Sequence, residues 1–221
     1  MNELLFLVHI LLVVGFGLFA LKMGKAALTA WIGLQAVLAN LFVIKQISFF
    51  GFHATCSDVF AVGCIFGLNL LREYYGQETA KKALWSCFFA MLFFVAMAQI
   101  HLIYTPSPFD TTQFSFEQIL SASPRLLAAS LLVFILVQQV ELRLFGLLKD
   151  RFPILPLGCR NALSVSATQF IDTLLFSLLG LWGIVSHLFD VIVVSFVIKL
   201  LVIMLMTPLV HFSRRFAARS G

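Results

Sequence analysis

Long apolar runs separated by short polar punctuation fill the chain from its first residues to its last. A helix needs about 20 mostly apolar residues to cross the hydrocarbon core of a bilayer, roughly 30 Å thick. Seven runs meet or approach that length: 4–21, 26–44, 56–71, 83–104, 125–147, 161–184 and 188–211. The third is short and interrupted by "GCIFGLN", whose Gly63 and Gly67 have the GxxxG spacing that lets helices approach closely. The longest segment outside the runs, 105–124, is too small for a separate domain, and its "TTQFSFEQIL" reads as a short helix lying on the surface. The pattern predicts an all-α fold. One integral membrane domain, 1–221, forms a polytopic helical bundle of seven spans: six core transmembrane helices plus an additional N-terminal helix.

Composition agrees. The chain is 61% hydrophobic and 11% charged, whereas a soluble domain carries about a quarter charged residues. The net charge of +5 is spread between apolar runs and makes no single basic patch, so no nucleic-acid partner is expected. Lys22, Lys25, Arg72, Lys81, Lys82, Arg143, Lys149, Arg151, Arg160, Arg214, Arg215 and Arg219 fall on one side if the N-terminus is outside and the C-terminus cytoplasmic. The opposite loops then hold only Lys45 and Arg125 among basic residues, beside Asp110, Glu117 and Asp190. The expected location is the cell inner (cytoplasmic) membrane. The opening "MNELLFLVHILLVVGFGLFALK" lacks a basic leader and a small-residue cleavage pattern, so a retained helix is expected. The four cysteines form no CxxC pair and read as small buried apolar side chains. With no GxxxxGK, HExxH, GxSxG or metal-spaced Cys/His cluster, neither a cofactor nor an enzyme is expected.

The candidate chemistry lies inside the membrane. An ionised carboxylate at bilayer depth costs about 2.5–3.5 kcal/mol on insertion scales, and Asp172 sits near the middle of the sixth run. At 100° per residue, Asn161, Ser164, Thr168 and Asp172 share an arc of roughly 80°, bordered by Gln169. A lone Ser or Thr in such a helix usually bonds its own backbone. Five polar residues gathered together, a carboxylate among them, point instead to a water-accessible or ligand-lined cavity. Lys199 is too central in the seventh run to snorkel, so it needs a partner, and Asp172 is the obvious one. That pair either locks two helices together or lines and gates a site. Ser195 lies one turn before Lys199 on the same face. Gln35, Asn40, Asn69, Glu73, Gln138, Gln139 and Glu141 suit helix-to-helix bonding or the edge of a heterocycle. Arg125, behind Pro124, reads as a boundary anchor unless it turns inward, and Phe176 is among the aromatics able to stack on a planar ligand.

Residues 38–85, from "LANLFVIKQISFFGFHATCSDVF" to "EYYGQETAKKALW", resemble the signature half of the queuosine-precursor transporter family, also called the vitamin uptake transporter family. The shared positions are Asn40, Gly51, Phe52, Glu73, Tyr75, Gly76, Ala80, Lys81 and Lys82. A second block resembles the family through Arg125, Ala129, Ser130, Gln138 and Glu141. A third does so through Arg160, Ser164, Gln169, Asp172, Thr173 and Phe176, and the last helix through Lys199 and Pro208. Where the family often has Asp, this chain has Asn69. The resemblance covers roughly 27–211.

It implies import of 7-deazaguanines, namely preQ0, preQ1 or queuine, for tRNA queuosine modification. It also implies a six-helix core related in fold to the substrate-binding components of energy-coupling-factor importers. The expected binding set is Asp172, Gln169, Glu73, Asn69, Asn40, Gln139, Arg125, Lys199 and Phe176. In it Asp172 or Glu73 accepts the paired N–H edge of a purine-like small molecule, while Gln169, Asn69 and Gln139 read the other polar atoms. A binding subunit that borrows an ATPase module is the alternative. The partners expected are this small molecule and the lipid bilayer, with homo-oligomerisation left open.

Overall fold

The computed structural model describes residues 1–151 and 157–201. Pro208, Arg214, Arg215 and Arg219 lie outside the described residues, as do the side chains of Gln138, Glu141, Lys149, Arg160 and Asn161.

Helix α1 (Asn2–Met23) runs into Gly24, whose φ of 103° no L side chain adopts readily. Helix α2 (Lys25–Phe42) starts on the next residue. The same device recurs at Gly76 (φ 84°), between α3 (Asp58–Tyr75) and α4 (Gln77–Ile103). These two one-residue turns reverse the chain and bring Lys22, Lys25, Arg72, Lys81 and Lys82 to a single end of the bundle. Short helix α5 (Gln113–Leu120) occupies the segment where a surface helix was expected, and α6 (Ser123–Arg151) follows. Helix α7 (Leu157–Phe176) widens into a π-helical turn over Ser177–Leu181. After a bend at Gly183, helix α8 runs over 188–201 and reaches the limit of the described residues. The chain is an all-α polytopic membrane bundle.

Among the described residues, five segments are long and apolar enough to cross a membrane: Asn2–Met23, Lys25–Phe42, Gln77–Ile103, Gln113–Val137 and Leu163–Leu181. Helix α3 is not one of them, because Asp58, Arg72 and Glu73 lower its apolar character. It is nonetheless unbroken, so the expected interruption at 63–69 is absent. The reason is packing: α1, α2 and α4 all lie against it, and its glycines face those neighbours. A Cβ on Gly63 would stand 2.8 Å from Val13 Cγ1, and one on Gly67 2.5 Å from Ile32 Cγ1. The GxxxG spacing is therefore a close-approach seam. Leu28, Ile32, Val62, Phe66, Leu70 and Leu71 fill the core around it. A second cluster at the other side joins Val43, Leu126, Leu181, Val185 and Val191.

The segment between α2 and α3 was read only as a connection; it is a β-hairpin. Strands β1 (Gln46–Phe49) and β2 (Phe52–Thr55) pair antiparallel, with Gln46 opposite Thr55 and Phe49 opposite Phe52. The two turn residues, Phe50 (φ 49°) and Gly51 (φ 82°), both have positive φ, as a type I′ turn requires. The hairpin lies across one end of the bundle like a strap. The Asn2 amide donates to Ser48 O at 2.9 Å and Phe50 N–H to Glu3 Oε1 at 3.0 Å. On its far side, Ser186 N–H donates to Gln46 Oε1 at 3.2 Å and His53 N–H to Asp190 Oδ2 at 3.3 Å.

Candidate functional site

Helices α7 and α8 meet through charge. Lys199 Nζ donates to Asp172 Oδ2 at 2.7 Å and to Thr173 Oγ1 at 3.0 Å. The Lys199 side chain is 13% exposed and that of Asp172 30%, so the pair is largely shielded by protein. Asp172 lies nine residues before Leu181 and Lys199 eleven after residue 188. At 1.5 Å per residue both stand about 13–17 Å from the hairpin end, close to the middle of a bilayer core. The expected partnership is present.

Another acid belongs to this group, and sequence reasoning passed over it. Asp58, in the first turn of α3, is buried at 6% exposure, and the Ser195 hydroxyl and Lys199 ammonium both act on its carboxylate. Its Oδ2 has no hydrogen-bond partner. The Asp58 carboxylate of α3 is thus within electrostatic reach of the lysine of α8 that pairs directly with Asp172 of α7. Ser195 sits one turn nearer the hairpin end than Lys199 and continues the polar line toward that surface.

Other polar side chains along the interior also keep unused capacity. Gln35 Oε1, Asn40 Oδ1 and Ser164 Oγ are buried without partners. A buried unpaired polar atom costs about 1–3 kcal/mol, so each is a place where water or a ligand is favoured. Thr168 and Thr173 behave differently: Thr168 Oγ1 donates to Ser164 O and Val165 O, and Thr173 Oγ1 to Gln169 O. For those two hydroxyls the backbone-bonding reading holds. The Gln169 side chain is half-buried, three residues before Asp172 on the same helix.

The remaining expected residues do not join the cluster. Glu73 is exposed at the far end of α3, fifteen residues and about 22 Å of helix from Asp58. Asn69 is half-buried one turn closer, and Gln139 is exposed on α6. Arg125 is exposed at the start of α6, where its Nε–H donates to Leu179 O at 2.9 Å. That carbonyl lies in the π-helical turn, so Arg125 caps the end of α7, as a boundary anchor does. Phe176 packs against the cluster of Leu126 and Leu181. A groove of about 920 Å³ between α2 and α4 has Leu34, Phe89 and Phe93 in its wall and no carboxylate among its lining residues, so it offers no bidentate acceptor to a paired N–H edge.

Residues 55–213 match the family described as "Putative vitamin uptake transporter". A protein of Bacillus subtilis (strain 168), described as "Probable queuosine precursor transporter", is 30% identical over 215 residues, covering 95% of this chain and 91% of that one. No solved structure matches the chain.

Proposed function

The chain belongs to the vitamin uptake transporter family, and from that premise we propose that it imports queuosine precursors through the site between α3, α7 and α8. Family membership places it among membrane transporters rather than enzymes. The observation that carries the reading is the part-buried pair of Lys199 and Asp172, with Asp58, one carboxylate oxygen free, within electrostatic reach of the same lysine.

A 7-deazaguanine presents an N1–H and an exocyclic amine side by side, and a carboxylate accepts that pair bidentately. Asp172 is the acceptor in this scheme. As the base takes Asp172, Lys199 turns to Asp58, so the shielded cation keeps a carboxylate partner throughout. The exchange matters because stripping a buried ion of its partner costs about 3–5 kcal/mol. Gln169, three residues before Asp172 on the same helix, supplies an amide donor to the carbonyl or ring nitrogen. Handing Lys199 between two carboxylates changes what holds α7 to α8, which gives alternating access a physical switch. Glu73 and Gln139 stand too far out for this first contact and serve, if at all, at another stage of passage.

The charge asymmetry supports a strapped end outside and a Lys22–Lys82 end in the cytoplasm, in a cell inner membrane. Labelled queuine and preQ1 uptake, in cells lacking their own importer and synthesis, tests the proposal. Asp172→Asn should reduce uptake to background with the protein still in the membrane, and Asp58→Asn should reduce it about tenfold or more. Wild-type uptake by Asp172→Asn would exclude the scheme.

A further inference from the structure

Two segments distant in sequence bring nitrogen and oxygen donors together outside the site just described. His53 lies in β2, His187 immediately before α8, and Asp190 in the first turn of α8. One ligand atom from each can be chosen so that all three lie within 4.8 Å of one another. The two imidazoles already face each other, with ring centroids 3.9 Å apart and planes 9° from parallel. Asp190 is fixed from the other side by the His53 backbone N–H.

We propose that His53, His187 and Asp190 form a binding site for a divalent transition-metal ion of the zinc class. Two imidazoles and one carboxylate are a borderline donor set, suited to Zn²⁺, Co²⁺ or Ni²⁺ and unsuited to the all-oxygen preferences of Mg²⁺ and Ca²⁺. Metal bonds of about 2.0–2.1 Å place tetrahedral ligands about 3.4 Å apart. The trio therefore needs to contract by about 1.5 Å at its widest, which rotation of the exposed His187 ring out of the stack provides. His53 is held by strand pairing with Ser48, and His187 by its carbonyl, which accepts the Val191 N–H at 3.1 Å. The backbone that carries the ligands is thus set before any ion arrives. Three protein ligands leave one position for solvent, as at an accessible regulatory site.

The position gives such an ion a consequence. The strap and the turn between α7 and α8 are joined here by two hydrogen bonds and a ring stack. An ion bridging His53 to His187 and Asp190 would fasten the strap to the entry of α8, the helix that carries Ser195 and Lys199. Metal binding is expected to slow uptake by holding that helix in place.

The test uses the purified full chain in detergent, its affinity tag free of histidine. Titration with Co²⁺ should give visible absorption that saturates at one equivalent per chain and is abolished by competing Zn²⁺. His187→Gln, at an exposed position, should fold as the wild type does and bind at least about tenfold more weakly, and His53→Ala likewise. Zn²⁺ should raise the melting temperature of the wild type and leave that of His187→Gln unmoved. Equal Co²⁺ uptake by the wild type and the His53→Ala/His187→Ala double variant would overturn the proposal. So would the absence of Co²⁺ absorption from the wild type at stoichiometric metal. Both readouts are independent of which molecule is transported.

Discussion

Helices α1–α4 and the pair α7–α8 solve the same problem, holding helices together in lipid, by opposite means. The first group closes on small residues: Gly67 leaves no room for a Cβ against Ile32, and Gly63 none against Val13 and Gln35. The second closes on a lysine that touches a carboxylate and a hydroxyl and lies within electrostatic reach of another carboxylate. Close-packed seams cannot slide without collision, because interiors deform in discrete steps. An ion pair can exchange partners and re-form. One region is consequently a scaffold, and the other is where movement is cheap.

Breaking the exchangeable contact should have the largest effect. Lys199→Met leaves Asp172 and Asp58 without their cation, and uptake should fall at least a hundredfold. Stability should drop toward the lower end of the roughly 3–5 kcal/mol seen when buried pairs lose one member, because Asp172 keeps some access to water. Asp172→Asn/Lys199→Met removes the charges at that contact together. That double variant should recover most of the lost thermal stability and none of the uptake. Recovery of both would mean that the pair only locks two helices, and the contrast between the two regions would lose its functional content.

The scaffold should respond in the opposite sense. Gly67→Val drives a branched side chain into Ile32 and Trp31, and overpacking of this kind costs about 1–3 kcal/mol. Membrane yield and melting temperature should fall while uptake per folded molecule stays close to wild type. A selective loss of uptake with normal stability would move the working part of the transporter into α1–α4.

The fate of individual residues shows how far the sequence could be read. Among the described residues, the apolar runs made seven of the eight helices visible, and the TTQFSFEQIL stretch the other, since length and hydropathy depend on composition alone. The Asp172–Lys199 pair was legible for a similar reason: two opposite charges at equal depth on adjacent spans have few other partners. Asp58 was not. An acid right after Ser57 at the start of an apolar run reads as an ordinary favourable charge at a helix N-terminus, and only packing buries it beside Ser195. Glu73 misled in the reverse direction. It lies in the most family-like stretch, yet helix rise carries it about 22 Å from Asp58. The hairpin was hidden because "QISFFGFHAT" carries no Asn-Gly or Asp-Gly, the strongest short-range signal for its turn.

That missing signal supplies the smallest prediction, at the strap that touches both regions. Phe50 occupies a left-handed conformation that bulky residues adopt at a cost, and its ring is 71% exposed. Phe50→Asn creates Asn-Gly, the pair a type I′ turn prefers, while keeping the backbone N–H that donates to Glu3. Against that gain stands the edge-to-face contact of Phe50 with Phe49 at 4.9 Å. Such contacts are worth about 0.5–1.5 kcal/mol when buried and least at exposed sites. The balance favours the variant by about 0.5 kcal/mol, a rise of roughly 1–2 °C in melting temperature for a chain of this length. Uptake should be unchanged, because the strap keeps its links to α1 and to the α7–α8 turn. A lower melting temperature would show that the Phe50 ring, and not the shape of the turn, fastens the strap to the scaffold.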